Sequence, residues 1–233
     1  MKELFIDNRM RDIEKNKLRE LGYKLIEIPT NKNLYPEISS HVDIHVCKIE
    51  NQIILENSLF NYLNSSIYIR GNSSVYGKYP EDIKYNVCII GNKAIHNFKY
   101  TDKTVLEKLK EKNFELINVN QGYTKCSIAV INENSIIISD KGLYNSLKNT
   151  DLNILLLDYV PNIKLINNDE YSNKNGFIGG VITRIDDYVF VSGDLKLIDK
   201  NDMIRNFIVS ENLELIESEG LDVIDYGGIV NGI

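Results

Sequence analysis

The chain has no tryptophan, no excess of positive charge, and no window approaching the roughly 20 apolar residues of a membrane-spanning helix. The N-terminal Met1-Lys2-Glu3-Leu4-Phe5-Ile6-Asp7 also lacks the apolar stretch of a signal peptide. Together these absences lead to the expectation of a cytoplasmic protein with no membrane partner. With a net charge of -6, a phosphate-tracking face is not expected, and nucleic acid is an unlikely partner, although a local basic patch is compatible with that total. Cysteine is scarce and odd in number. None of the three sits in a CxxC pair or near a His pair at zinc spacing, which argues against a disulfide framework and a structural metal. GxGxxG and P-loop patterns are missing too, so no nucleotide, and no other cofactor, is expected. The bias toward Asn, Lys, Ile and Tyr carries no functional message.

What is present is a 233-residue chain, 43% hydrophobic and 26% charged, enough for one large domain or two small ones with a buried core. Its clearest stretch is Gly122-Tyr123-Thr124-Lys125-Cys126-Ser127-Ile128-Ala129-Val130-Ile131, then Asn132-Glu133-Asn134, then Ser135-Ile136-Ile137-Ile138. That pattern reads as a short polar mouth, a strand, a tight turn and a second strand. A helical spacing follows from Lys141 to Leu147.

The order strand, polar mouth, strand, turn, strand, helix recurs about five times at irregular spacing. The first copy opens at Tyr23–Ile28, continues through His41–Ile49 and Ile53–Glu56, and ends in a helix near Ser58–Leu63. The second holds Ile67–Asn72, Asn86–Ile90 and Ala94–Asn97, with the strongest helix at Thr104–Lys110. The third begins at Phe114 and contains Cys126; the fourth runs from Asn153 across a polar loop at Tyr171-Ser172-Asn173 to Gly179–Ile185, Tyr188–Ser192 and a helix at Met203–Ile208. A fifth copy starts at Leu213, has its mouth between Asp222 and Gly228, and stops soon after Val230. Its missing strand and helix are supplied by Glu3–Asp7 and Ile13–Leu21, so a ring sealed by pairing of the two termini is expected.

Five strand-strand-helix modules in a ring resemble the α/β-propeller of the penteins, the guanidine-modifying-enzyme superfamily of deiminases, dimethylarginine hydrolases and amidinotransferases. The chain also resembles an uncharacterised bacterial family of that fold. The resemblance implies an α/β class, a single pentein-like domain over residues 1–233, and a Cys nucleophile, a His acid/base and carboxylates meeting at the ring centre. His41-Val42-Asp43 matches the superfamily's HxD motif, and Cys126 lies two modules later, as the Cys does in arginine deiminase. Here the pair sits in the first and third modules rather than nearer the end, and Lys125-Cys126-Ser127 lacks the Gly-rich approach of the deiminases.

On that basis the candidate catalytic residues are Cys126 and His41, and the candidate guanidinium-binding residues are Asp43 and Asp225. Thiolate is the attacking species, and Lys125 and His41 are expected to lower the Cys126 pKa. His41 titrates near neutrality and suits proton transfer, while paired carboxylates suit a planar cation. Each residue has a plainer alternative. Cys47 and Cys88 read as small buried hydrophobes, His41 as a backbone-bonded loop residue, His45 and His96 as structural, and Gly179-Gly180 and Gly227-Gly228 as either close-approach positions for a substrate or bulges. The expected activity is a cysteine-dependent hydrolase or transferase on a small guanidino or amidino compound. The alternative is a non-catalytic pentein-fold binder, like the ribosome anti-association factors.

Overall fold

A computed structural model describes residues 2–158, 160–166 and 174–232. The protein is mixed α/β, and its strands form small sheets of one recurrent plan: an antiparallel pair joined by a tight turn, with a third strand added in parallel after a helix. Val46–Ile49 pairs with Gln52–Leu55, which pairs with Ile69–Arg70; Cys88–Ile90, Lys93–His96 and Glu115–Asn118 repeat the arrangement. So do Ile128–Val130, Ser135–Ile138 and Asn153–Leu156, and again Ile182–Ile185, Tyr188–Val191 and Glu214–Ile216. The remaining three-stranded sheet joins the two ends of the chain. Glu3–Asp7 lies antiparallel to Val230–Asn231, with Phe5 opposite Val230, and parallel to Lys24–Ile28.

The connecting helices start on acidic caps. Glu56, Asp102 and Asp140 accept hydrogen bonds from the first free backbone N–H groups of Asn57–Leu63, Lys103–Glu111 and Lys141–Leu147, and Asp199 does the same for Ile204 and Arg205 at the start of Met203–Ser210. Such a cap satisfies donors that the helix itself leaves unpaired. Asp12–Glu20 has acids in its first turn and bases in its last, in the sense that complements its dipole.

Each of the five apolar clusters of the core spans two neighbouring sheets. Ile49 and Ile54 pack with Ala94 and Val105, Cys88 and Ile95 with Ile128 and Ile136, and Ala129 and Ile137 with Ile182 and Val189. Leu4 and Ile6 pack with Ile185 and Phe190, while Phe5 and Val230 pack with Val46 and Leu55. Alternation along Leu4-Phe5-Ile6 thus sends adjacent side chains of one strand into two different clusters.

Three details depart from the sequence expectation. The stretch His41–Ile49 is not one strand: Val42–His45 is a helical turn and only Val46–Ile49 is extended. Thr124–Ser127 is likewise a helical turn, and Ile178–Gly180 a 3-10 turn, each ahead of its strand. A two-residue pairing of Lys164–Leu165 with Ile224–Asp225 was not foreseen. The polar loop placed at Tyr171-Ser172-Asn173 lies outside the described residues. Among the described residues no helix is long and apolar enough to cross a membrane.

Candidate active site

Asp43 and Cys126 lie on helical turns that precede the inner strands Val46–Ile49 and Ile128–Val130, His41 caps the first of these turns, and Asp225 ends the short strand Ile224–Asp225. Val42 N and Asp43 N donate to the carbonyls of Tyr226 and Gly227, which ties the His41 turn to the segment carrying Asp225. Gly227 has φ +70°, and a Cβ there would sit 2.6 Å from His41 Cβ. Gly180 is confined more tightly still, since a Cβ would lie 1.8 Å from Asp225 Oδ1. One glycine of each pair, Gly180 and Gly227, therefore makes room for candidate side chains, while Gly179 lies against the backbone carbonyls of Lys125, Cys126 and Ile128.

Cys126 Sγ donates to Asp43 Oδ2 at 2.9 Å. Asn86 Nδ2 donates to the same sulfur at 3.1 Å and to the Asp43 carbonyl at 3.2 Å, while Asn86 Oδ1 accepts from Lys125 N at 2.9 Å and Cys126 N at 3.3 Å. One buried amide thus fixes both the thiol and the backbone that presents it. His41 Nδ1 lies 3.8 Å from Asp225 Oδ1, and His41 Nε2 is buried without a partner, as is Asp43 Oδ1. Asp225 accepts from Phe177 N and Gly227 N, each at 2.8 Å. A cavity of about 360 Å³ opens onto His41, Cys126 and Asp225, and its wall includes Glu37, Tyr123, Phe177 and Lys174. Asp43 does not line it, and joins the group through Cys126.

Electrostatics in this pocket run against the expectation for the thiol. Cys126 is 4% exposed, and burial, then the charges of Asp43 and Asp225, raise its pKa well above the usual thiol range. Lys125 and His41 do not reverse this. Burial first, and the Asp225 charge second, push Asp43 up to about 7. Burial also lowers His41 below its ordinary value, against the opposing pull of Asp225. At rest the site holds a protonated thiol and a neutral imidazole.

The other candidates behave as plainer residues. Cys47 and Cys88 are buried in strands and pushed up to about 12 by burial. His45 bonds the Ser39 carbonyl and Glu56, and His96 bonds the Gly122 carbonyl and Thr101. Residues 42–45 are helical, so Asp43 and His45 do not follow the side-to-side alternation of a strand. Asn86 escaped the sequence reading. Its signal was positional, because Asn86, Cys126, Gly180 and Gly228 each stand two residues before an inner strand.

The model of a family of unknown function, DUF6873, matches residues 5–230. No curated protein matches the chain. Among solved structures, a cysteine-to-serine mutant of DDAH from Pseudomonas aeruginosa, complexed with citrulline, is similar at 11% identity and TM-score 0.56, over 94% of this chain and 92% of that one. Agmatine deiminase from C. jejuni with substrate bound is similar at 12% identity and TM-score 0.54, over 96% and 80%. The amidinotransferase SxtG from Microseira wollei is similar at 11% identity and TM-score 0.54, over 94% and 88%. At such identities the likeness establishes the fold, that of the pentein guanidine-modifying enzymes.

Proposed function

The chain belongs to the family DUF6873, and from that premise we propose that it is a cysteine-dependent hydrolase or transferase acting on a small guanidino or amidino compound. We read residues 1–233 as one pentein domain, a five-module ring sealed by the pairing of Glu3–Asp7 with Val230–Asn231. The observation that carries the functional reading is the meeting of Cys126, Asp43, His41 and Asp225, from three distant segments, around one cavity.

In this reading the cationic head of the substrate binds against Asp225, with Glu37 and the Tyr123–Phe177 ring stack, 6.1 Å between centroids, enclosing it. Its positive charge offsets the carboxylates that hold the Cys126 proton in place. The thiol proton passes to His41, and sulfur attacks the central carbon, forming the C–S bond. His41 then returns the proton to the leaving nitrogen as the C–N bond breaks. Water, or an acceptor amine in a transferase, adds to the thiouronium carbon and gives up its proton to His41; the C–S bond breaks and sulfur takes that proton back. Asp43, bonded to the sulfur, keeps the thiol oriented between turnovers.

One observation favours the non-catalytic alternative, a small-molecule binder or an anti-association-type factor: the resting thiol is buried and protonated. The test is a panel of guanidines and amidines scored for release of ammonia or amine and for a mass adduct on Cys126. Release that disappears in Cys126→Ser supports the enzyme. Saturable binding without release or adduct would leave only the binder.

A further inference from the structure

The inner strands run from the candidate active site to a second cavity of about 350 Å³ at their other ends. The chain passes from His41 to Lys48, from Cys126 to Val130, and from Asp225 to Asn231, the first of each pair lining one cavity and the second the other. Three cations from three segments line this second space: Lys48 on the strand Val46–Ile49, Lys125 on the turn Thr124–Ser127 and Arg184 on the strand Ile182–Ile185.

Among the described residues none of the three forms a close ion pair with a carboxylate, although the charge of Asp186 acts on Lys48 at longer range. Lys48 Nζ donates to the Gly232 carbonyl at 3.0 Å, and Arg184 Nε to the Asp186 carbonyl at 2.8 Å. Among the described residues Lys125 makes no side-chain hydrogen bond or ion pair, and its charge acts on Asp43 at longer range. Of the acids nearby, Glu50 is engaged by Lys112 at the rim, and Asp186 is held by Lys2 and Tyr23. Glu133 is the remaining carboxylate on the wall. Burial lowers the pKa of Lys48, against the opposing charge of Asp186. In a chain of net charge -6, this concentration of positive charge is local. Val46, Ile89 and Val130 supply an apolar wall beside it.

We propose that this cavity binds a small organic anion, its carboxylate or phosphate head held by Lys48, Lys125 and Arg184 and its apolar body lying against Val46, Ile89 and Val130. A planar guanidinium and two ammonium groups suit an oxyanion, and an apolar wall suits more than a bare inorganic ion.

The experiment is calorimetric titration of the purified protein with hexanoate and with inorganic phosphate. Hexanoate is expected to bind one equivalent, and phosphate to compete for the same place more weakly. Loss of one charge-assisted contact should weaken hexanoate about tenfold or more in Arg184→Gln and in Lys48→Gln, with Lys125→Gln in reserve if either fails to fold. Asp225→Asn, which alters the other cavity, should leave hexanoate affinity unchanged, so failure here is distinguishable from failure of the guanidine reading. Unchanged affinity in folded Arg184→Gln and Lys48→Gln, loss of binding in Asp225→Asn, or no binding of either anion would overturn the proposal.

Discussion

Replacing Asp43 with asparagine should stabilise the protein, and only in a defined pH range. The carboxyl is buried and displaced from 3.8 to about 7. Below pH 4 it is protonated in folded and unfolded chains alike, so the substitution changes little. Between about pH 4 and 7 the unfolded chain releases the proton while the folded protein retains it, and stability drains away over that window. Above 7 the loss is complete and levels off. A displacement of this size corresponds to about 4 kcal/mol at most, and on the order of 2 kcal/mol after relaxation around the Asp43–Asp225 pair. Asparagine retains an oxygen to accept from Cys126 Sγ. Urea denaturation of parent and Asp43→Asn between pH 4.5 and 9 reads the difference directly, as a gain for the variant that grows to neutrality and then stays flat. A variant less stable than the parent at pH 8, or a difference independent of pH, would refute the electrostatic account of the site.

Three further outcomes follow from the same geometry. Cys126 should react with chloroacetamidine about 10–100-fold faster than with the neutral isostere chloroacetamide, the range set by one charge-assisted contact, with the advantage lost in Asp225→Asn; mass-spectrometric mapping that finds equal rates would remove the cation-binding role. Gly180→Ala should cost about 1–3 kcal/mol by thermal unfolding, because the new methyl meets Asp225 Oδ1 at 1.8 Å, and an unchanged midpoint would show that the carboxylate moves freely. Deleting residues 1–22 removes Leu4, Phe5, Ile6 and Leu18 from the core, worth about 1.5–3 kcal/mol each, and should unfold the protein; a soluble truncation with the parent midpoint by circular dichroism would contradict the terminal pairing as a stabilising contact.

Much of the fold was legible because β-branched runs split by short polar turns are strong local signals. Ile128–Val130 with Ser135–Ile138, and Ile182–Ile185 with Tyr188–Val191, are cases where pattern and pairing agree. The pairing of the termini was legible from an unfinished last repeat, and Phe5 stands opposite Val230. The helical turn at Val42–His45 was not. Val42 and Ile44 favour a strand by propensity, and the turn is held by long-range bonds to the 226–227 backbone, which no local pattern reveals. The pairing of Lys164–Leu165 with Ile224–Asp225 is too short to leave a periodic trace, yet it holds the strand end on which Asp225 sits.

For the site, residue types could be chosen from the sequence but their charge states could not. Placing Cys126 at a polar mouth suggested an exposed thiolate beside Lys125 and His41. Folding instead encloses the thiol, aims it at Asp43, and leaves His41 neutral. The nearby guanidinium of Arg9 is already committed to Asp7 at 2.6 Å. Asp225 and Glu37 therefore face a cavity whose described lining includes one cation, Lys174. In the proposed reaction a substrate cation beside Asp225 offsets the charges of Asp43 and Asp225, which with burial raise the Cys126 pKa. On that reading binding precedes activation, and the resting thiol is expected to react slowly with neutral electrophiles.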